Sequence, residues 1–243
     1  MNSTKKTARQ AGLLYLMVVL TGIISFMVIP GKLIVWEDAA ATYSNIVADE
    51  LTFRIGMVSY LLCYTFFAFL PFYLYKLLAF VNVNLAKYML ILALISVPVA
   101  FANSQNQFNV VSLISGDKYL DVFSKEQLQS QVLLYLNQHD NGQLIISVFS
   151  GLWLFPFGLL VYKSGFLPKI LGLLLMAGCF SYLVNFLGFT LMPDYAALGI
   201  ASYVHLPASI GEIGICLWLL IMGVKERTIK NQKVMLTELN VKG

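Results

Sequence analysis

The sequence predicts an all-α, polytopic membrane protein: a six-transmembrane-helix bundle with both termini in the cytoplasm. Three observations carry this. The 243-residue chain is 59% hydrophobic and 12% charged, with mean hydropathy +0.78, whereas about 25% of an ordinary soluble domain is charged. Six apolar runs are each long enough to cross ~30 Å of hydrocarbon, which takes roughly 20 residues. Basic residues crowd one set of the segments that join those runs.

The runs fall at about 13–29, 55–75, 88–110, 142–162, 170–192 and 204–224. Residues 1–225 then form one membrane domain, and 226–243 a polar cytoplasmic tail expected to fray. The first run is short but within the range that tilt and local thinning accommodate. It follows a basic start, as a signal peptide would. No small-residue cleavage pattern follows it, only Ile29, Pro30, Gly31 and Lys32, so the run is expected to stay. The runs are continuously apolar rather than alternating, which argues against a barrel.

Placing the charges explains the net charge of +4. Lys5, Lys6 and Arg9 precede the first run, Lys76 and Lys87 bracket one turn, and Lys163 and Lys169 bracket another. Lys225, Arg227, Lys230, Lys233 and Lys242 follow the last run. The other side holds Glu37, Asp38, Asp49, Glu50, Asp117, Asp121, Glu126, Asp140 and Asp194. Positive-inside asymmetry puts the basic side and both termini in the cytoplasm, and a bacterial inner membrane is the expected location. The basic excess then signals topology and attraction to anionic lipid heads, not a nucleic-acid partner.

The connections read in order. Glu37 and Asp38 suit the start of a short helix, where their charges favour the dipole. Ile46 and Val47 are expected to dip into the interface while Trp36 sits at headgroup level. After the third run, Ser124-x-x-Gln127 is a capping box, and Leu128, Val132, Tyr135 and Leu136 share a helical face. That segment is expected to lie along the outer surface, the alternative being an upward extension of the fourth span. His139 falls in the same external segment. In the turn KSGFLPK, Gly165 suits a positive φ after one helix and Pro168 the opening of the next.

Polar groups inside the runs are the candidates for function, because each is costly in hydrocarbon. Glu212 stands well inside the last run, on one stripe with His205, Ser209 and Cys216. Pro207 marks a place where the regular helix would begin, which would leave His205 in the entering loop. Glu212 must be protonated, paired or solvated, and both a purely interhelical bond and a ligand-facing site stay open. Arg54, at the mouth of the second span, is the natural partner unless it only snorkels to the interface. Asn103 and Gln107 share a face near the end of the third run, and Asn185 is deep in the fifth, where an amide finds a cross-helix partner. Trp153, Tyr182, Tyr203 and Trp218 read as packing or belt residues. Ser147 with Gly151, and Ala177 with Ser181, permit close helix approach. Cys63, Cys179 and Cys216 read as buried thiols packing as small hydrophobes.

Two histidines cannot form a three-His zinc site, and no G-x-S-x-G, P-loop or H-E-x-x-H pattern occurs, so no catalytic residue, metal or cofactor is expected.

The segments ARQAGLLYLMVVLTGI, ADELTFRIGMVSYLL, LYKLLAFVNVNLAKYMLI, LVYKSGFLPKILGLLLMAGCFSYLV and GEIGICLWLLIMGVK resemble, in that order, bacterial membrane proteins of the domain-of-unknown-function family numbered 4386. The likeness covers about residues 8–225 and includes Arg54 in FRIG and Glu212 in GEIG. It implies a multi-span bacterial membrane protein with no established activity.

The functional expectation is binding or translocation of a small polar or amphipathic molecule, a lipid among them, in an externally open cavity. Arg54, Asn103, Gln107, Asn185 and Glu212 border that cavity, with His205 and Ser209 nearby. The alternatives are a membrane-embedded enzyme using Glu212 as acid or base, and a structural or partner-binding subunit. Membrane lipids are the expected partners, and the sequence is silent on oligomeric state.

Overall fold

The computed structural model describes residues 3–224, and no strand occurs among them. Helix α1 (Ser3–Ile23) continues through a π-helical turn (Ile24–Val28) into α2 (Ile29–Leu33); α3 (Ala39–Ala48) and α4 (Glu50–Leu78) follow. Next come α5 (Val83–Asn103), α6 (Gln105–Ile114), α7 (Lys125–Leu152), α8 (Leu154–Ser164), α9 (Lys169–Leu191) and α10 (Ala201–Leu217), the last running into a second π turn (Trp218–Met222). Six of the resulting helical segments are long and apolar enough to cross a membrane: Thr4–Leu33, Glu50–Leu78, Val83–Ile114, Lys125–Ser164, Lys169–Leu191 and Ala201–Met222. The expected tail and its cations, Lys225, Arg227, Lys230, Lys233 and Lys242, lie outside the described residues.

Local chemistry sets the ends of these helices. Asp38 caps α3 by accepting from the Ala41 amide at 2.8 Å. Gly165 ends α8 at φ +69°, where a Cβ would be strained, and Pro168 precedes the first turn of α9. The capping box forms: the Ser124 amide donates to Gln127 Oε1 at 2.8 Å, and the Gln127 amide to Ser124 Oγ at 3.3 Å.

That box opens one continuous 28-residue helix, so the segment expected on the outer surface instead extends the fourth span. No proline interrupts 125–152, and once nucleated a helix propagates cooperatively. Together α7 and α8 make a 40-residue segment, ~60 Å at the helical rise and about twice the hydrocarbon thickness. His139 accordingly lies within a helix, not in a loop. Helix α10 begins before Pro207, which sits inside it, so His205 is helical too. Pro207 lacks only an amide donor and frees a single carbonyl, a defect that a spanning helix tolerates.

The chain divides into two compact units. The first comprises the described residues of Met1–Leu16, Phe67–Ser96 and Ser147–Gly243. Trp153, 1% exposed, is central to it: it stacks on Phe157 at 5.2 Å and meets Phe67 edge-on at 5.3 Å. The reading of Trp153 as a packing residue therefore fits.

The second unit comprises Met17–Phe66 and Val97–Ile146. Its core joins Ile29, Leu33, Ile46, Phe53, Met57, Val110, Leu113, Leu120, Val132 and Leu136, with Leu128 and Tyr135 packed against it. Ile46 is fully buried in protein, not dipped into an interface; Val47 and Trp36 are exposed. Thr42 holds α3 in place by donating to the Val35 carbonyl at 2.8 Å and accepting from the Val35 amide at 2.9 Å. That double bond turns Ile46, one helical turn later, onto the core.

Candidate functional site

Each unit holds its own cluster of buried and half-buried polar side chains. In the first, Glu212 accepts two hydrogen bonds: from the Tyr15 hydroxyl to Oε2 at 2.9 Å and from the Tyr182 hydroxyl to Oε1 at 3.1 Å. A carboxylate deep in a span costs about 2.5–3.5 kcal/mol when left alone. Two O–H donors offset part of that without adding charge. Tyr15 is held by its contact with Trp153, ring centroids 6.4 Å apart. Tyr182 is held because Gly151 has no side chain: a Cβ there would stand 2.6 Å from the Tyr182 Cβ. The small residue foreseen as a packing aid thus positions a ligand of Glu212.

The remaining members of the Glu212 stripe play lesser parts. His205 meets the Tyr182 ring edge-on at 4.6 Å. Ser209 Oγ turns back to the His205 carbonyl of its own helix at 3.4 Å, and Cys216 Sγ faces the Gly12 carbonyl at 3.7 Å. Asn185 accepts from the Tyr195 hydroxyl at 2.8 Å and donates to the Ala201 carbonyl at 3.1 Å, which ties the end of α9 to the start of α10. Half-buried, it has the partners expected of an amide within a span.

Arg54 takes a different partner from the one expected. Its Nε bonds Glu50 Oε1 at 2.6 Å, one turn back on the same helix, and both side chains are exposed. An i,i+4 carboxylate is already at hand, so Arg54 has no need to reach into the membrane. Glu212 is satisfied by the tyrosines, and the Arg54–Glu212 pair is replaced by two separate sets of contacts.

In the second unit, Asn103 is the hub, 8% exposed. Its Nδ2 donates to the His139 carbonyl at 2.9 Å and approaches the Tyr60 hydroxyl at 3.5 Å, and its Oδ1 accepts from Asn106 at 3.0 Å. The Tyr60 hydroxyl donates to Gln143 Oε1 at 3.2 Å, while Gln143 Nε2 donates to the Tyr64 hydroxyl at 2.7 Å. Tyr60 also meets the His139 ring edge-on at 4.8 Å. Gly142 makes room for this cluster, since a Cβ there would overlap the Asn103 amide.

Beside the cluster lies a cavity of ≈ 370 Å³, within the roughly 300–1,000 Å³ usual for small-molecule sites. Phe26, Ile29, Leu33 and Phe53 line it on the apolar side; Ser25, Gln107, His139, Asp140 and Gln143 supply the polar side. Gln107 Oε1 and Ser25 Oγ are buried and have no hydrogen-bond partner among the described residues. Ser25 and Phe26 belong to the π turn at Ile24–Val28, a widened turn of the kind that recurs at functional sites.

Of the five residues expected around one cavity, Gln107 alone lines this one. Asn103 supports it through the adjoining network, and Arg54 lies at the surface. Asn185 and Glu212 belong to the first unit's polar contacts. The residues overlooked are Ser25, Tyr60, Tyr64, His139, Asp140 and Gln143. A signal existed for two pairs of them: Tyr60 and Tyr64, and His139 and Gln143, are each four apart and share a helical face.

All three cysteines are buried and free, and no group of His, Cys, Asp and Glu suited to a metal occurs among the described residues.

Six apolar helices with polar clusters buried among them define a multi-pass α-helical membrane protein. Residues 10–223 match the family described as a domain of unknown function, DUF4386, and the chain belongs to that family. An uncharacterized protein of Archaeoglobus fulgidus is 35% identical over 78 residues, which cover 32% of this chain and 44% of the relative. The match thus spans less than half the length of that curated relative. No solved structure matches.

Proposed function

We propose that this protein binds a small amphipathic molecule in the cavity beside Gln107, as an integral protein of the cytoplasmic membrane with both termini in the cytoplasm. One observation carries the reading: two buried polar atoms, Gln107 Oε1 and Ser25 Oγ, are unpartnered where they border a cavity of ligand size. Leaving a buried donor or acceptor unmade costs about 1–3 kcal/mol each, a cost that a bound molecule would remove. The cavity's apolar wall suits a hydrocarbon body and its polar wall a head able to hydrogen-bond, so the occupant is amphipathic. The distribution of Lys and Arg along the chain supports the orientation.

Native mass spectrometry of the purified protein in a non-ionic detergent, titrated with short single-chain amphiphiles, tests the reading. Wild type should retain one amphiphile per chain, and Ser25→Phe, which fills the cavity, should retain none while keeping its helical circular dichroism. Equal retention by both proteins would overturn it.

A further inference from the structure

We infer that the head group taken by the Gln107 cavity is a primary ammonium, so that the ligand is a cationic amphiphile; this rests on the binding reading above and specifies its chemistry. The polar wall is richer in acceptors than in donors, the Ser25 hydroxyl being able to act as either. Gln107 Oε1 accepts only, and Ser25 Oγ can accept. His139 Nδ1 faces the Asn103 carbonyl at 3.4 Å; because a carbonyl only accepts, Nδ1 carries the hydrogen, and Nε2 of the neutral ring is an acceptor. Gln143 is already committed at both ends to Tyr60 and Tyr64.

Charge points the same way. Asp140 is the one carboxylate lining the cavity, and no Lys or Arg lines it. Asp140 takes part in neither of the ion pairs Lys32–Asp49 and Arg54–Glu50. A phosphate or carboxylate head would meet Asp140 with like charge and Gln107 Oε1 with no donor. A hydroxyl head supplies a single donor. An ammonium supplies three donors and the opposite charge, and a charge-assisted hydrogen bond is roughly twice as strong as a neutral one. The aromatic lining, Phe26, Trp36 and Phe53, favours a cation further, because ring faces carry partial negative charge.

The shared chemistry, an alkyl chain bearing –NH3+, is offered both by a free long-chain amine and by an ethanolamine-headed lipid. The experiment compares dodecylammonium, dodecanol, dodecyl phosphate and lysophosphatidylethanolamine at neutral pH, on wild type, Asp140→Asn and the cavity-filling Ser25→Phe, by native mass spectrometry with intrinsic fluorescence as a second readout. Dodecylammonium should bind wild type at least about tenfold more tightly than dodecanol, and dodecyl phosphate more weakly than either. Asp140→Asn, an isosteric change at an exposed residue, should bring the amine within about threefold of the alcohol while the helical circular dichroism stays that of wild type. Binding of lysophosphatidylethanolamine alongside dodecylammonium assigns the lipid as a source of the ammonium; binding of dodecylammonium without it assigns the free amine. Dodecanol or dodecyl phosphate bound as tightly as dodecylammonium, or a preference untouched by Asp140→Asn, would overturn the ammonium assignment and leave the cavity reading intact. Amphiphile binding that survives Ser25→Phe would remove both.

Discussion

Asn103 and His139 clasp one another in both directions. Asn103 Nδ2 donates to the His139 carbonyl at 2.9 Å, and His139 Nδ1 reaches the Asn103 carbonyl at 3.4 Å. The clasp locks α5 to α7 and keeps the rings of His139 and Tyr60 in contact. It depends on Gly142, whose missing side chain leaves space for the Asn103 amide. Gly142→Ala should therefore destabilise the protein by about 1–3 kcal/mol, the usual cost of overpacking, although alanine is the better helix former. Asn103→Ala would free that space, so the double variant should be less destabilised than the sum of the singles. Thermal unfolding in detergent, followed by circular dichroism, measures the non-additivity.

The separate partners of Arg54 and Glu212 predict additivity. Arg54→Ala should cost no more than about 0.5 kcal/mol, since an exposed i,i+4 ion pair is worth little. Glu212→Gln keeps one acceptor oxygen and puts an amide donor in place of the other, so one tyrosine hydroxyl must turn from donor to acceptor, as Tyr64 accepts from Gln143; the bonds are rearranged rather than lost, at a cost of about 0.5–1.5 kcal/mol. The double variant should equal the sum within about 0.5 kcal/mol. Glu212→Gln with Tyr182→Phe, by contrast, should cost clearly less than the sum of its singles.

What could be read from the chain and what could not separate along physical lines. The spans were legible because twenty consecutive apolar residues have few uses other than crossing hydrocarbon. Caps and turns at Asp38, Ser124, Gly165 and Pro168 were legible because they act within a few residues of themselves. Asn103, Gln107 and Asn185 stood out as polar groups in apolar runs. Tyr15, Tyr60 and Tyr64 did not, since a tyrosine reads as apolar until its hydroxyl finds a partner on another helix. Arg54 and Glu212 suggested each other as opposite charges in apolar runs, while Glu50, four residues away, was the nearer carboxylate; the exposed Arg54 matches the other alternative, a side chain that stays at the interface. Leu128 through Leu136 were assigned to a surface, although their stripe serves equally on a helix that continues into the fourth span.

Asp49 links the end of α2 to the start of α4. It accepts from Lys32 Nζ at 2.6 Å and from the Thr52 amide at 3.3 Å, and the Lys32 bond, followed by the Thr52 bond, holds its carboxyl below the usual carboxylate range. A depressed folded pKa favours folding when the group is ionised. The contribution is therefore fully present above the unfolded carboxylate value, about 3.9, and disappears as pH falls through the lower folded value. The pair is exposed, so the effect should be small and weaken with salt. Asp49→Asn should remove the part of the acid destabilisation that wild type shows as pH falls below about 4. Unfolding midpoints of the two proteins at low and high salt over that window provide the check; parallel pH curves would exclude a role for Asp49.

Gln107→Leu sets stability against binding at one residue. The side chain is 8% exposed and its Oε1 has no hydrogen-bond partner among the described residues. Leucine has nearly the same volume and no buried acceptor to satisfy. Without added amphiphile the variant should be more stable than wild type, by up to about 1–3 kcal/mol. It should also bind dodecylammonium at least about tenfold more weakly, because the acceptor that draws the head group is gone. A residue kept only for packing would move the two quantities together, stability and retention rising or falling as one. Opposite signs, read from unfolding curves and from ligand titrations of the same preparations, identify Gln107 as a group whose buried polarity is retained for what it binds.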